Sequence, residues 1–400
     1  MTGLRIKQFR LARGWSLQDL VDKAGNVVTK QAVSKIEGGK SNPTNRVLRA
    51  LAKALNVPVA TLLEDHGYKV DFIAFRKGSR LSRTDEDRIK NTIEIELKDR
   101  VRLYSLLNTG LLEAIPYGKY EVDDFKDVEK AAEGIRMDWK LGSNPIQNVT
   151  EVLEEHGVHV FFLQVADDTN FDGVSARITD EKGSIMGAGV VSRTGIDGER
   201  QRFNLAHELG HIVLKVKDSF CTRTGFKREK AEEKAAHRFA GAFLATKSHL
   251  LREVGSKRAG ISLEEVKGLR SRYGMSMGAV LYRLKDLGVI SENHHRDWCV
   301  NLRSKGWDKG EPESLPEEES NRFERCVYRA FVEGYLGFEA AEAMLKKKLE
   351  LEPSPALLQK RSFRQLPVEV RRELLAKQAE ELKDSYKDLG DLPGGEIVES

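Results

Sequence analysis

His207 and His211 flank Glu208 in the run Phe203-Asn204-Leu205-Ala206-His207-Glu208-Leu209-Gly210-His211-Ile212-Val213-Leu214. On a helix, residues four apart lie about one turn from each other on the same face. Two imidazoles so placed can bind one Zn²⁺ at about 2.0–2.1 Å. Glu208 stands beside the first of them and can reach a water that the ion polarises. Peptide hydrolysis needs a base that takes the proton of that water and returns it to the leaving amine, and a carboxylate here does both. The alternative is a structural helix that happens to carry two partly exposed histidines.

A catalytic zinc needs a third protein ligand. The next histidine after His211 is His237, inside a helical pattern over residues 228–245 that also offers Glu229, Glu232 and Glu233. Ala236, Ala240 and Phe243 mark an inward stripe that Glu233 continues one turn back, whereas Glu232 lies near the stripe of Ala235 and Phe239. Helical geometry alone leaves both carboxylates open. Leu205, Leu209, Ile212, Val213 and Val216 give the histidine-bearing helix its core face. Upstream the period changes to β-rich runs at Val158–Val165, Phe171–Ile178 and Ser184–Val191, preceded by helical patterns at 127–140 and from Asn144 to about Gly157. Ser262-Leu263-Glu264-Glu265 reads as a capping box, and Ser276 opens a further helix ending near Leu287. A small sheet leading into helices is an α+β arrangement.

Hydrophobic residues make up 40% and charged residues 32% of the chain, which fits neither wholesale disorder nor a membrane protein. The N-terminal MTGLRIKQFR has no apolar core segment and is not read as a secretory signal. Cys221, Cys299 and Cys326 are odd in number and far apart, so a disulfide framework or CxxC zinc module is excluded and a reducing cytoplasm is expected. The net charge of +4 is unevenly spread, because residues 1–65 hold eleven Lys and Arg against five acids. A basic head on a near-neutral body is the pattern of a chain whose head meets a polyanion.

That head has helical grammar throughout. Ile6, Phe9 and Leu11 suit a first helix. Ser16 caps a second carrying Leu17, Leu20 and Val21, and Gly25 closes it. Thr29 opens a third with Ala32, Val33 and Ile36, and Thr44 a fourth with Val47, Leu48, Leu51 and Leu55. Short helices joined by a tight turn form the helix-turn-helix plan, whose second helix enters the major groove. Residues 4–65 resemble the lambda-repressor/XRE family, most clearly at Trp15-Ser16-Leu17-Gln18-Asp19-Leu20 and Val33-Ser34-Lys35-Ile36-Glu37-Gly38-Gly39. The resemblance implies that Thr29, Lys30, Gln31 and Ser34 face bases of a double-stranded operator and that Lys35 and Lys40 meet phosphates. It also implies a homodimer, since such heads read paired half-sites.

Residues 200–240 resemble the ImmA/IrrE metallo-endopeptidase family, through Arg200-Gln201-Arg202-Phe203-Asn204-Leu205-Ala206 before HELGH and Glu233-Lys234-Ala235-Ala236-His237-Arg238-Phe239-Ala240 after it. The resemblance extends upstream to Asn144-Pro145-Ile146, Gly157-Val158-His159-Val160 and Phe171-Asp172-Gly173-Val174-Ser175, and downstream to Gly306-Trp307 and Glu311-Pro312. It implies a zincin-like fold of the gluzincin type, one Zn²⁺ per chain held by His207, His211 and Glu233, and Glu208 as catalytic base. His237 stands where the family usually has Asn and is expected to be packed. His294-His295 is expected to be a surface pair. Many members carry an XRE head, and the family is thought to cleave repressors of the same class.

The expected plan is multidomain. Residues 1–65 form an all-α helix-turn-helix head and 66–124 a linker and helical connector, with a long helix from Thr84 to about Leu111. Residues 125–290 form the α+β metallopeptidase-like domain, and 291–400 a helical C-terminal region with a loose tail. Gly306–Ser320, rich in Gly, Pro and acid, reads as a linker. The expected function is an operator-binding regulator whose zinc site cleaves a protein substrate, a partner repressor or the chain's own 66–83 connector, with the substrate strand pairing to an exposed sheet edge within 158–191. A zinc-fold regulator without turnover, sensing a ligand or partner, and an antitoxin-like regulator are the rival readings.

Overall fold

The computed structural model describes residues 2–63, 67–75, 82–108, 115–165, 171–307, 310–349, 363 and 366–388. The expected tail at 389–400, the connector's basic stretch at 76–81, the reach of its long helix to Leu111, and residues 350–362 lie outside the described residues.

The head comprises α1 (Thr2–Ala12), α2 (Leu17–Lys23), α3 (Lys30–Glu37), α4 (Asn45–Ala54) and α5 (Val59–Leu63). Local chemistry sets the starts. Ser16 Oγ accepts the Asp19 N–H at 3.2 Å while the Asp19 carboxylate accepts the Ser16 N–H at 2.8 Å, and the Thr29 and Thr44 hydroxyls cap α3 and α4. Ile6, Leu20, Val33, Leu51, Leu55 and Leu62 fill the core between the helices. A two-pronged pair of Arg10 with Glu37, both contacts at 2.7 Å, ties α1 to the end of α3.

The body starts with β1 (Lys69–Phe75) and α6 (Arg83–Leu106), then β2 (Tyr120–Val122), α7 (Phe125–Asp138), α8 (Val149–Glu155), β3 (Val158–Leu163), β4 (Gly173–Thr179) and β5 (Ile185–Arg193). It continues with α9 (Gly198–Val213), β6 (Leu214–Val216), α10 (Asp218–Thr224), α11 (Arg228–Leu244), α12 (Lys247–Val254), α13 (Leu263–Tyr273), α14 (Met277–Asp286) and α15 (Glu292–Ser304). Last come α16 (Arg322–Val332), α17 (Phe338–Leu345) and α18 (Val368–Asp388). The main sheet has the order β1-β4-β5-β3, with β3 parallel to β5 and the other two pairs antiparallel. Short β2 and β6 pair in parallel at one side.

The sheet is covered on both faces, which is why β4 and β5 read as nearly continuous buried runs instead of alternating. One face meets α9 and the large core around it. The other meets α6 through Ile89, Ile93, Leu97 and Val101. Gly187 and Gly189 permit that approach, since a methyl group at Gly189 would lie 2.4 Å from Leu97 Cδ2. The same helix gives Ile95 to the head core and, with Leu107 just past its end, Leu103 and Tyr104 to the core of α16 and α17. What the sequence presents as a connector is thus a spine shared by three cores, and β1 is a strand of the main sheet.

The acidic Gly/Pro stretch behaves differently from a solvated linker. Residues 310–320 run as a strap over the body, and its acids find backbone N–H groups and buried guanidinium groups. Glu311 accepts the Met277 N–H at the start of α14 at 2.8 Å, and Glu318 accepts the Val149 and Thr150 N–H groups at the start of α8 at 2.9 and 2.7 Å. Arg270 donates to the Pro312 and Glu313 carbonyls, and Arg202 pairs with Glu318.

His159 sits on β3, 2% exposed, against the Tyr104 ring, and neither ring nitrogen has a hydrogen-bond partner among the described residues. Burial, reinforced by Arg100 and Arg322, pushes its imidazole down to about 3. An unfolded histidine titrates near about 6.5. Between these values the unfolded chain binds a proton that the folded chain refuses, so stability falls as pH drops. Acidification from pH 7 to 5 should therefore cost wild type about 1–2 kcal/mol more than His159→Leu, read from urea midpoints. Equal losses would remove His159 as a cause.

Candidate metal centre

Helix α9 begins at Gly198 under the strap, where any side chain would meet the Pro316 carbonyl, and its first turn is fixed by Glu199 and Gln201. The Leu315 N–H donates to Glu199 at 3.1 Å, and the Glu318 N–H donates to the Gln201 side chain at 2.6 Å. Arg202 donates to the Ile146, Gln147 and Gly274 carbonyls. A helix gripped this firmly at its start carries His207, Glu208 and His211 at fixed positions two and three turns on.

Helix α11 crosses α9 closely. Gly210 is the reason, because a methyl group there would lie 3.1 Å from Ala236 Cα and 3.2 Å from Phe239 Cδ1. Ala206, Ala236 and Ala240 are likewise fully buried. On its far side α11 is anchored by Glu129 of α7, whose carboxylate takes Arg238 at 2.5 Å and Arg283 at 2.5 and 2.8 Å. Those two guanidinium groups hold Glu129 below the usual carboxylate range despite its burial. Arg136 of α7 reaches the Phe243 carbonyl near the end of α11 at 2.5 Å.

The crossing brings three donors together. His207 Nε2 lies 3.1 Å from His211 Nε2, and the Glu233 carboxylate stands 3.4 Å from each. Their ligand atoms all fall within 4.8 Å of one another. Donors at about 2.0–2.1 Å from a tetrahedral ion stand about 3.3 Å apart, so two imidazoles and a carboxylate at these separations fit one Zn²⁺. Both histidine side chains are 7% exposed and Glu233 31%, which leaves the cluster open on the carboxylate side. Glu232, the other carboxylate of the helical pattern, pairs instead with Arg228 at 3.2 Å on the surface.

Glu208 is 4% exposed, its side chain under the first residue of β4. A methyl group at Gly173 would press on the Val191 carbonyl at 3.0 Å and meet Glu208 Cγ and Oε1 at 3.4 Å, so the start of β4 lies beside the carboxylate. Asp172 pairs with Arg200 at 2.7 Å and its carbonyl accepts from Asn204, fixing the strand start to the same face of α9. His237 packs between Phe203 and Tyr282, with ring centroids 5.0 Å from each, and 6.5 Å from His207. His294 and His295 lie half-buried on α15, His294 accepting from Trp298 at 3.2 Å, and outside the three-donor group.

In the head, Lys30, Gln31, Ser34, Lys35 and Lys40 are all exposed around α3. Thr29 is exposed too, but its hydroxyl is engaged with the Ala32 N–H at 3.2 Å. Among the positioning residues, Glu129 and the strap acids Glu317 and Glu318 escaped the sequence reading. Asp172, Gly173 and Glu311 stood there only within the stretches of family resemblance, with no role given to them.

Comparison with known proteins bears on both parts. Residues 153–285 match the family model of the IrrE N-terminal-like domain, a peptidase family, and residues 6–62 match the helix-turn-helix model. The HTH-type transcriptional regulator SinR of Bacillus subtilis is 42% identical over 66 residues, covering 16% of this chain and 58% of that protein, and SinR of Bacillus licheniformis matches equally. The HTH-type transcriptional regulator SutR of Escherichia coli is 41% identical over 58 residues, covering 14% of this chain and 32% of its own length. The chain therefore spans little more than half the length of these curated relatives at most, and it matches them in the head. One polypeptide thus matches an XRE-type helix-turn-helix model in its head and the IrrE N-terminal-like domain model, of a metallopeptidase family, in its body. No described helix is long and apolar enough to cross a membrane.

A bulkier residue at 210 should push α11 away. Gly210→Val is expected to weaken zinc binding 10–100-fold, as other changes behind metal ligands do, measured by competition with a chromophoric chelator. Unchanged affinity would show that the crossing does not position Glu233.

Proposed function

We propose that this protein is a DNA-binding transcriptional regulator whose body is a zinc-dependent endopeptidase acting on a repressor-type protein. The observation that carries the reading is the meeting of His207, His211 and Glu233 at separations of 3.1 to 3.4 Å beside the buried Glu208. When bound, the zinc supplies Lewis-acid polarisation of the scissile carbonyl and acidifies water. His207, His211 and Glu233 hold it with two neutral donors and one anionic donor. Glu208 takes the proton of the attacking water and passes it to the leaving amine nitrogen. Its place under Gly173 sets that proton transfer beside β4, and its burial shields the carboxylate from bulk water.

For the head, an exposed α3 with Lys30, Gln31, Ser34 and Lys35 supports insertion into the major groove. Gln31 offers an amide suited to a bidentate contact with adenine, and Lys35 and Lys40 offer charges to phosphates. The likeness to SinR and SutR supports this assignment for the head. A cytoplasmic site of action and a dimeric operator complex follow from the same reading.

Cleavage of an XRE-class repressor by the full chain with zinc, followed by gel electrophoresis and mass spectrometry, tests the enzyme assignment. Glu208→Gln should keep its zinc and lose at least about 100-fold in rate, the size of a general-base contribution. A variant as fast as wild type refutes the assignment of Glu208. Wild type that holds zinc and cleaves nothing supports the sensing regulator instead.

On DNA, Lys35→Ala should weaken binding to every sequence alike and flatten the salt dependence by about one charge. Gln31→Ala should instead cost about 1–3 kcal/mol on the operator alone. Titrations at several salt concentrations separate the two, and an unaltered operator affinity for Gln31→Ala removes it from the reading surface.

A further inference from the structure

The sheet edge over the site is already taken. An extended peptide bound by strand addition needs free backbone groups on an edge strand. The strand that passes over Glu208 is β4, and on its outer side β1 pairs antiparallel in register, from Lys69 opposite Thr179 to Phe75 opposite Val174. Phe75 is one register position from Gly173, the glycine beside Glu208. The other edge of the sheet, β3, is not open at its middle either, since Ser320 Oγ donates to the Val160 carbonyl at 3.0 Å. We propose that β1 is an internal occupant of the substrate-docking edge, an autoinhibitory strand that must leave β4 before an extended polypeptide can align beside Glu208. This rests on the peptidase reading above.

The manner in which β1 is held fits an occupant that can depart. Every β4 residue except Arg177 is buried, whereas none of Lys69, Val70, Asp71, Phe72 and Ile73 is. The ladder is interrupted by a register shift between Phe72 and Ala74. Outside the ladder, one link between β1 and β4 is a largely exposed pair, Asp71 with Arg177 at 3.0 Å, worth little in water. Val70 and Phe72 lie at the margin of the α6 core and Ile73 at the margin of the α9 core. A strand with few buried apolar contacts opens more readily than the body it pairs with. Its sequence, Lys-Val-Asp-Phe-Ile-Ala-Phe, alternates at first and then runs apolar from Phe72, the kind of extended segment the free edge would accept from another protein.

The test uses full-length chain carrying Glu208→Gln throughout, so that binding is read without turnover. Asp71→Cys with Arg177→Cys places two thiols on directly opposed residues and locks β1 onto β4 on oxidation. Arg177→Glu sets two carboxylates opposite each other and loosens the strand without any new thiol. The probe is a fluorescein-labelled peptide of residues 67–75, followed by anisotropy. We expect Arg177→Glu to bind it at least tenfold more tightly than the oxidised double-cysteine protein, with reduction restoring binding in the latter. Equal binding by the locked and loosened proteins, including none by either, overturns the proposal. Cleavage of a repressor by the same variants in the Glu208 background is read separately. Failure of that assay with peptide binding intact would refute the peptidase reading and leave the occupied edge standing.

Discussion

Two helices can share a metal only if their axes come near enough for side chains of ordinary length to converge, and here that distance is set by Gly210 against Ala236. A methyl group at 210 would already press on the Ala236 backbone at 3.1 Å. Because the gap is closed by small residues, the Glu233 carboxylate reaches both imidazoles without stretching. Everything around the crossing maintains it. The strap and Arg202 fix where α9 begins, Glu129 clamps α11 from behind through Arg238 and Arg283, and Arg136 ties down its last turn. Buried charges held in this way stabilise little by themselves, but removing one partner leaves the other stranded. Their effect is to specify one arrangement of helices over its near alternatives.

The head is bound to this body by packing as well as by chain. Helix α1 lies along α6, with Gln8 donating to Glu94 at 2.8 Å and Ile95 entering the head core. On its other side α6 seals the sheet, and its end joins the C-terminal helices. One continuous helix thus packs against the head, the sheet and the C-terminal helices. Such contiguity is the physical requirement for coupling between an operator site and a peptidase-like site.

Much of the local structure was legible in residues. Ser16, Thr29, Thr44, Ser262 and Ser276 announced helix starts because a hydroxyl that can take a backbone N–H is favoured there whatever the tertiary context. The three β-rich runs at 158–191 stood out because strands covered on both faces are rich in apolar and β-branched residues. The connector and the acidic stretch were harder to read. Helix α6 is charge-rich, and nothing in its period says that three different cores would claim its faces. Gly306–Ser320 has the composition of a solvated linker, and its carboxylates become structural only because helix starts and buried guanidinium groups happen to line its path.

The sequence by itself determined that His207 and His211 share one helix face with Glu208 beside them, since a four-residue spacing on a helix places two imidazoles on one side. It also determined the helix-turn-helix grammar of the first 65 residues. Helical pattern alone left Glu232 and Glu233 open, and only the family resemblance named Glu233. Which of the two meets the histidines follows in the folded chain from the rotation of α11 against α9, fixed by what Gly210, Glu129 and Arg283 allow. Occupation of the β4 edge was likewise invisible in one dimension. A strand announces that it will pair, but its alternation of side chains carries no label for the partner, and only the folded chain shows β1 lying there.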